Sequence, residues 1–349
     1  MPAFDPIPQT SQARLDASLP DAPLDIATLL AHPSTPTSEK PKTVLYLAYG
    51  SNLCNETFRG ARGIRPLSQI NVVVPSLRLT FDLPGVPYKE PCFANTARRT
   101  SSAQKYHKDA WHKGLVGVVY EVTLSDYAHI IATEGGGSAY ADILVDCHVL
   151  DKGEDTVPTV PTSKPFKAHT LFASSEDNDR IVRPDPSYAQ PSARYLKLIT
   201  DGALECELPG EYREYLHGIR PFRITSKKQE VGKALFLSIW MPFVLFVFAL
   251  GRKFSDENGR APAWLAKLSA MVFSGMWTSY DAVFKPVFGE GERTVGDDAL
   301  GEMDSSTWEA LSTRQEAEKE SLLEESVQNM YTAQMAVQRP SRGDGVALR

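Results

Sequence analysis

Cysteine is scarce: Cys54, Cys92, Cys147 and Cys206 are the only four in 349 residues, and no two form a CxxC pair. Such spacing fits neither a zinc knuckle nor the disulfide framework of a small secreted domain, and a reducing compartment is the simplest setting for it. Positive charge is also in short supply, with 37 Lys and Arg against 43 Asp and Glu for a net charge of -6. No global positive field is available to hold a phosphate backbone, so nucleic acid is not an expected partner. The opening MPAFDPIPQTSQARLD has neither a basic start nor an apolar run, so a cleavable signal peptide is not expected. GxxxxGK followed by Ser or Thr, GxGxxG after a strand, and GxSxG are all missing, which removes the carriers of P-loop, dinucleotide and α/β-hydrolase chemistry. The seven histidines are scattered, and His107 and His112 lie in a polar segment with no evident carboxylate partner. Neither a metal site nor a cofactor is expected.

What is present divides the chain into unlike parts. Residues 1–42 hold eight prolines among Ser, Thr, Ala and Asp, a composition that reads as a disordered leader. From Thr43 the run VLYLAYG looks like a buried strand ended by glycine. In SLRLTFDLPG, Leu77, Leu79, Phe81 and Leu83 alternate with polar residues, the period of a half-buried strand. LVGVVYEV (115–122), ADILVDCHVL (141–150) and KAHTLFA add β-branched strand candidates, and SDYAHIIATEG reads as a short helix with Ser125 as its N-cap. Helices are predicted from about Ser192 to Gly202 and from about Pro209 to Leu216. Segments 97–113 and 151–165 read as polar surface insertions. Together these elements make a compact α+β domain over 43–220 the expected architecture.

A different regime follows. Ala234 to Gly251 is an uncharged run of eighteen residues, which at about 1.5 Å each spans roughly 27 Å, close to the hydrocarbon thickness of a bilayer. With basic residues at both ends it is a candidate single transmembrane helix, the preceding domain facing the cytosol; a buried core helix is the alternative. The stretch around 261–285, interrupted by Lys267 and Asp281, suits an interfacial helix better than a second span. The remainder of 252–349 reads as accessory helix and acidic disordered tail.

Two glycine-containing spots bear on chemistry. Tyr49-Gly50-Ser51-Asn52 follows the first strand, and Glu134-Gly135-Gly136-Gly137 follows a short apolar helix. A strand ending in a tight glycine turn exposes successive N–H groups that bind a carboxylate or a developing oxyanion; the same residues also suit a turn with no ligand at all. Glu134, delivered by Ile130, Ile131 and Ala132 beside three glycines, is a candidate acid/base, since burial would raise its pKa towards neutrality. A solvent-exposed helix end followed by a flexible glycine linker is the alternative.

Read in order, YLAYGSNL at 46–53, RGIRP at 62–66, VPSLRLTFDLPGVPYKEPCFAN at 74–95, GVVYEV, the helix-borne Glu134 and PSARYLKLITDGALECELPGEY resemble the γ-glutamylcyclotransferase family in its filamentous-fungal form. The resemblance covers about 43 to 218, roughly half the chain, and implies that the α+β domain is built on a mixed, strongly curved sheet with flanking helices. It implies a cofactor-free lyase in which the free α-amine of a γ-glutamyl group attacks its own γ-amide carbonyl, giving 5-oxoproline and the released amine. By the same resemblance Tyr49, Gly50, Ser51, Asn52 and Leu53 hold the γ-glutamyl head, Glu134 moves the proton, and Tyr140 and Tyr195 line the pocket. Asn52 resembles the relatives that accept varied γ-glutamyl compounds rather than the glutathione-specific ones. A non-catalytic, membrane-tethered binding module and a tailoring enzyme acting on glutathione adducts in secondary metabolism are the alternatives.

Overall fold

The structure, a computed structural model, describes residues 4–25, 29, 42–99, 111–133, 141–172, 183, 188–254 and 262–295. Five strands close into a small barrel: β1 (Thr43–Ala48), β2 (Ser68–Val74), β5 (Leu115–Thr123), β6 (Ala141–Val149) and β7 (Phe166–Phe172), in the order β1-β5-β2-β6-β7. All pairs are antiparallel except β1 with β7, which meet in parallel at Tyr46 and His169. β1 and β5 read as continuous apolar runs because almost every position is buried, whereas β3 (Leu77–Val86) alternates only over Leu77–Thr80, before its register shifts between Thr80 and Leu83 and leaves Phe81 and Leu83 half-buried. β3 pairs with β4 (Glu90–Arg98) as a separate two-stranded arm. The fold is therefore α+β with the curved mixed sheet that the family resemblance implies; that the sheet closes into a barrel was not expected.

Helix α2 (Leu124–Thr133) follows β5 directly. Its first turn is held by the Thr123 hydroxyl, which accepts from the Asp126 amide at 3.0 Å. Thr123 thus does the work assigned to Ser125, because the helix begins at Leu124, two residues earlier than a cap at Ser125 would set it. Helix α3 (Ala193–Glu205) is capped by Ser192, whose Oγ accepts from the Tyr195 amide at 3.0 Å, and α4 (Gly210–His217) follows it. α3 does not stop at Gly202 as predicted but continues for a further turn, since that glycine serves packing rather than termination. Pro209 is the residue before α4 rather than its first helical position.

Residues 4–25, expected to belong to a disordered leader, wrap the barrel instead. A short helix α1 (Gln12–Asp16) seats Leu15, 2 % exposed, in the main core. Gln9 bridges to Gln69 of β2, and Arg14 Nε donates to Glu121 at 2.9 Å. Few apolar residues suffice to anchor a proline-rich segment when edge backbone and one part-buried ion pair are on offer.

Beyond the barrel, α5 (Lys227–Phe254) and α6 (Ala263–Ser279) run antiparallel, and α6 continues through a π-turn (Tyr280–Phe284) into α7 (Lys285–Phe288). Tyr88, in the turn of the β3–β4 arm, is 1 % exposed within an aromatic cluster of Phe236, Tyr280 and Phe284. The arm thereby links the barrel to the helices. Among the described residues one helix, over Lys227–Gly251, is long and apolar enough to cross a membrane.

Candidate functional site

β1 ends at Ala48, and the chain then turns through Tyr49 and Gly50 into a single 3-10 turn, Ser51–Leu53. This turn sits against helix α3. A Cβ on Gly202 would stand 2.4 Å from the Leu53 carbonyl carbon and 2.5 Å from the Cys54 nitrogen, so only glycine lets the helix approach this closely. The contact is fixed by polar ties on both sides: Glu205 Oε2 accepts from the Asn55 amide at 2.7 Å, and Cys206 Sγ lies 3.5 Å from the Leu53 carbonyl oxygen. Burial pushes the Cys206 thiol up to about 11, so it stays a neutral packing group rather than a nucleophile.

The turn forms one wall of a cavity lined by Tyr46, Tyr49, Gly50, Ser51, Asn52, Ala94, Leu171 and Tyr195, about 370 Å³ including the space at its mouth. Its polar groups are held in place. Tyr49 donates to the Leu171 carbonyl at 3.2 Å, Asn52 Nδ2 donates to the Tyr46 hydroxyl at 2.9 Å, and the Tyr195 hydroxyl accepts from the Ala94 amide at 3.1 Å. The Tyr195 ring also meets Phe93 edge-on at 5.1 Å. Strand β4 is thus pinned over the cavity by a residue of α3.

Beneath the cavity lies a buried polar network. Asp142, at the start of β6, accepts from the Tyr127 hydroxyl at 2.5 Å, from His169 Nδ1 at 2.9 Å and from the Leu24 amide at 2.6 Å. Burial, followed by the Asp142 charge, raises the Tyr127 pKa well above that of an ordinary tyrosine, so this hydroxyl remains a donor. Tyr127 stacks at 5.7 Å on Tyr46, which reaches the cavity. One carboxylate therefore ties together the leader, α2, β6 and β7.

Of the residues singled out in the sequence, Tyr49, Gly50, Ser51, Asn52 and Tyr195 meet at this cavity. Leu53 is fully buried behind the turn and forms no part of the lining. Glu134 and Tyr140 lie outside the described residues. Sequence reasoning missed Tyr46, Ala94 and Leu171, and the Tyr127-Asp142-His169 network. Tyr46 lies three residues before Tyr49, and that pair of aromatics around the strand end was a readable signal. The other residues are brought in by pairing between distant strands. Among the described residues no group of three or more His, Cys, Asp and Glu is placed to hold a metal ion.

Fold and site together define a small α+β barrel with a cavity where β1 gives way to a glycine turn. The chain is 32 % identical over 256 residues to the gamma-glutamyl cyclotransferase gliK of Aspergillus fumigatus, covering 71 % of this chain and 89 % of that one. It is 30 % identical over 262 residues to the gamma-glutamyl cyclotransferase aclK of Aspergillus oryzae, covering 73 % and 92 %. Residues 226–287 match the AclK C-terminal domain. A solved structure described as a gamma-glutamyl cyclotransferase aligns with 22 % identity and a TM-score of 0.38, over 53 % of this chain and 93 % of that chain. The chain belongs to the gamma-glutamyl cyclotransferase family.

Proposed function

We propose that this protein releases 5-oxoproline from a γ-glutamyl amino acid or conjugate, with Glu134 as the acid/base. The observation that carries the reading is the placement of the cavity relative to the ends of the segment 134–140. Leu171 lines the cavity, and its partner across the β6–β7 ladder is Asp142; Ala141 pairs with Phe172. Tyr127 of α2 is hydrogen-bonded to that same Asp142. The stems on either side of 134–140 are therefore tied to each other beside the cavity wall.

The chemistry balances without a cofactor. Glu134 takes a proton from the α-ammonium of the substrate, and the freed amine attacks the γ-amide carbonyl carbon. The attacking nitrogen gives up a second proton as the C–N bond to the leaving amine breaks, and the two protons pass to the leaving nitrogen, which departs as an ammonium while Glu134 is restored to its carboxylate. Within the turn, the Leu53 and Cys54 amides already donate to the Gly50 and Ser51 carbonyls, so donation to the γ-glutamyl head falls to amides earlier in the turn. Such a donor aimed at a developing oxyanion contributes about 3 kcal/mol. No activated Ser or Cys is required, because the attacking group belongs to the substrate and cyclisation gains from proximity. Asn52 supports acceptance of varied γ-glutamyl compounds. Membrane attachment through α5 belongs to the same reading, with the barrel on the cytosolic side.

The test is 5-oxoproline release from γ-glutamyl amino acids by the wild type and by Glu134→Gln. Loss of the titrating group is expected to lower kcat by about 100-fold to 10,000-fold. Equal rates in both would reject Glu134. Saturable binding with no product from the wild type would instead favour a binding module, and turnover confined to glutathione adducts would favour a tailoring enzyme of secondary metabolism.

A further inference from the structure

The α5–α6 pair plays no part in the cavity, yet among the described residues it holds all the exposed Phe and Trp side chains. Leu235, Ile239, Phe243 and Phe246 on α5, and Trp264 and Met271 on α6, are between 47 % and 68 % exposed. Only 17 % of the most apolar window of α5 is buried. Soluble proteins rarely leave so much contiguous apolar surface bare.

The two helices act as one body. Trp240 Nε1 donates to Ser279 Oγ at 2.9 Å, the Trp240 ring lies against Gly275, and the Phe254 and Trp264 rings meet edge-on at 5.6 Å near the far end. At the near end, the two ends of the helix pair are tied to each other and to the turn of the β3–β4 arm. Gln229 Nε2 donates to the Glu290 carbonyl at 2.8 Å, the Arg223 amide to Thr294 Oγ1 at 2.9 Å, and the Tyr88 amide to the Gly291 carbonyl at 2.8 Å. Thr225 Oγ1 donates to the Val295 carbonyl at 2.8 Å, so the chain enters α5 and comes back from α6 at the same place. A single pass through a membrane is incompatible with that geometry, because α6 would have to be pulled away from α5.

We propose that α5 and α6 insert into a lipid bilayer together, as a two-pass hairpin with the barrel and residue 295 on the same side. This rests on the membrane reading above and replaces its single pass. The dimensions fit. The uncharged part of α5 reaches roughly 27 Å, and α6, with 17 residues, roughly 25 Å, against a hydrocarbon core of about 30 Å. The charges fit as well. Lys227 and Lys228 stand at the barrel end and Arg252 and Lys253 at the other, where cations meet lipid headgroups. The linking sequence adds Asp256, Glu257 and Arg260, a charge set costly to carry into the bilayer centre. Lys267, one turn into α6, has a stem long enough to snorkel to the interface at the Arg252 end.

The four native cysteines are buried, so an introduced thiol can be read with a membrane-impermeant maleimide on full-length protein in sealed vesicles. Asn258→Cys is expected to label from the face opposite to an N-terminal tag, and Ser305→Cys from the same face as that tag. Labelling of Ser305→Cys opposite the tag would restore a single pass, and labelling of Asn258→Cys on the tag's own face would show that the hairpin does not cross; either result overturns the proposal. Carbonate release of the wild type as a soluble monomer or dimer would overturn membrane attachment itself. Phe243→Lys with Phe246→Lys is expected to move the protein into the supernatant while 5-oxoproline release stays within about twofold. Retention of that double variant in carbonate-washed membranes would count against insertion of α5.

Discussion

Gly202→Ala separates local propensity from tertiary contact. In a helix interior alanine is favoured over glycine by about 1 kcal/mol, so α3 considered alone would be stabilised. In the structure the added Cβ would stand 2.4 Å from the Leu53 carbonyl carbon, where ordinary van der Waals contact begins at 3.4 Å. The obstacle is backbone on the opposing side and cannot swing aside, so the helix and the 51–54 turn must part by about 1 Å. Overpacking of this kind costs about 1–3 kcal/mol, enough to reverse the sign of the propensity gain. The same displacement shifts the turn that walls the cavity, and a misplacement of about 1 Å at a reacting centre costs up to about 100-fold in rate. The expected result is a lower urea midpoint with an unchanged m-value, together with a fall of about 10-fold to 100-fold in kcat/KM for 5-oxoproline release. A variant as stable as the wild type with unaltered kcat/KM would refute the argument that this close approach sets the turn.

Asp142→Ala leaves Tyr127, His169 and the Leu24 amide without their shared acceptor and should cost about 3–5 kcal/mol. Asp142→Asn, which keeps the shape and loses the charge, should cost about 1–3 kcal/mol by the same urea titration, and equal effects would argue against a charge-assisted network. For Glu121, burial raises the pKa, but hydrogen bonds from Thr43, Ser68 and Arg14 outweigh it and leave the pKa below its usual 4.5. A lowered carboxylate pKa contributes stability that is complete above the unfolded value and is lost as pH falls through the folded one. Residues 4–25 should therefore become more open to proteolysis below about pH 4.5, and Arg14→Ala should show that opening already at neutral pH. Tyr88→Ala empties an aromatic socket between the arm and the helices and should cost about 3–5 kcal/mol, with faster proteolytic cutting of the β3–β4 arm as the local readout.

Several features were legible before any coordinates. The alternation of Leu77, Leu79, Phe81 and Leu83 marks β3, Ser192 marks the start of α3, and the glycine turn after YLA marks one wall of the cavity. These are short-range features, decided by side-chain period, by a cap within one turn, or by the backbone freedom of a single residue. The leader was misread because composition records how little apolar surface it has and says nothing of the edge of β2 waiting for Gln9. Gly202 was misread as a stop because a helix terminator and a close contact call for the same residue.

The sequence by itself determined five of the seven strands, the start of α3, the apolar length of α5 and the turn at 49–53, since each depends on neighbours a few positions away. The tertiary structure alone decided that β1 and β7 close a barrel, that Ala94, Leu171 and Tyr195 share one cavity, and that Asp142 joins four segments. It alone also set α6 back along α5. These outcomes depend on which distant surfaces pack together with their buried polar groups satisfied, a global condition that no local window of residues contains.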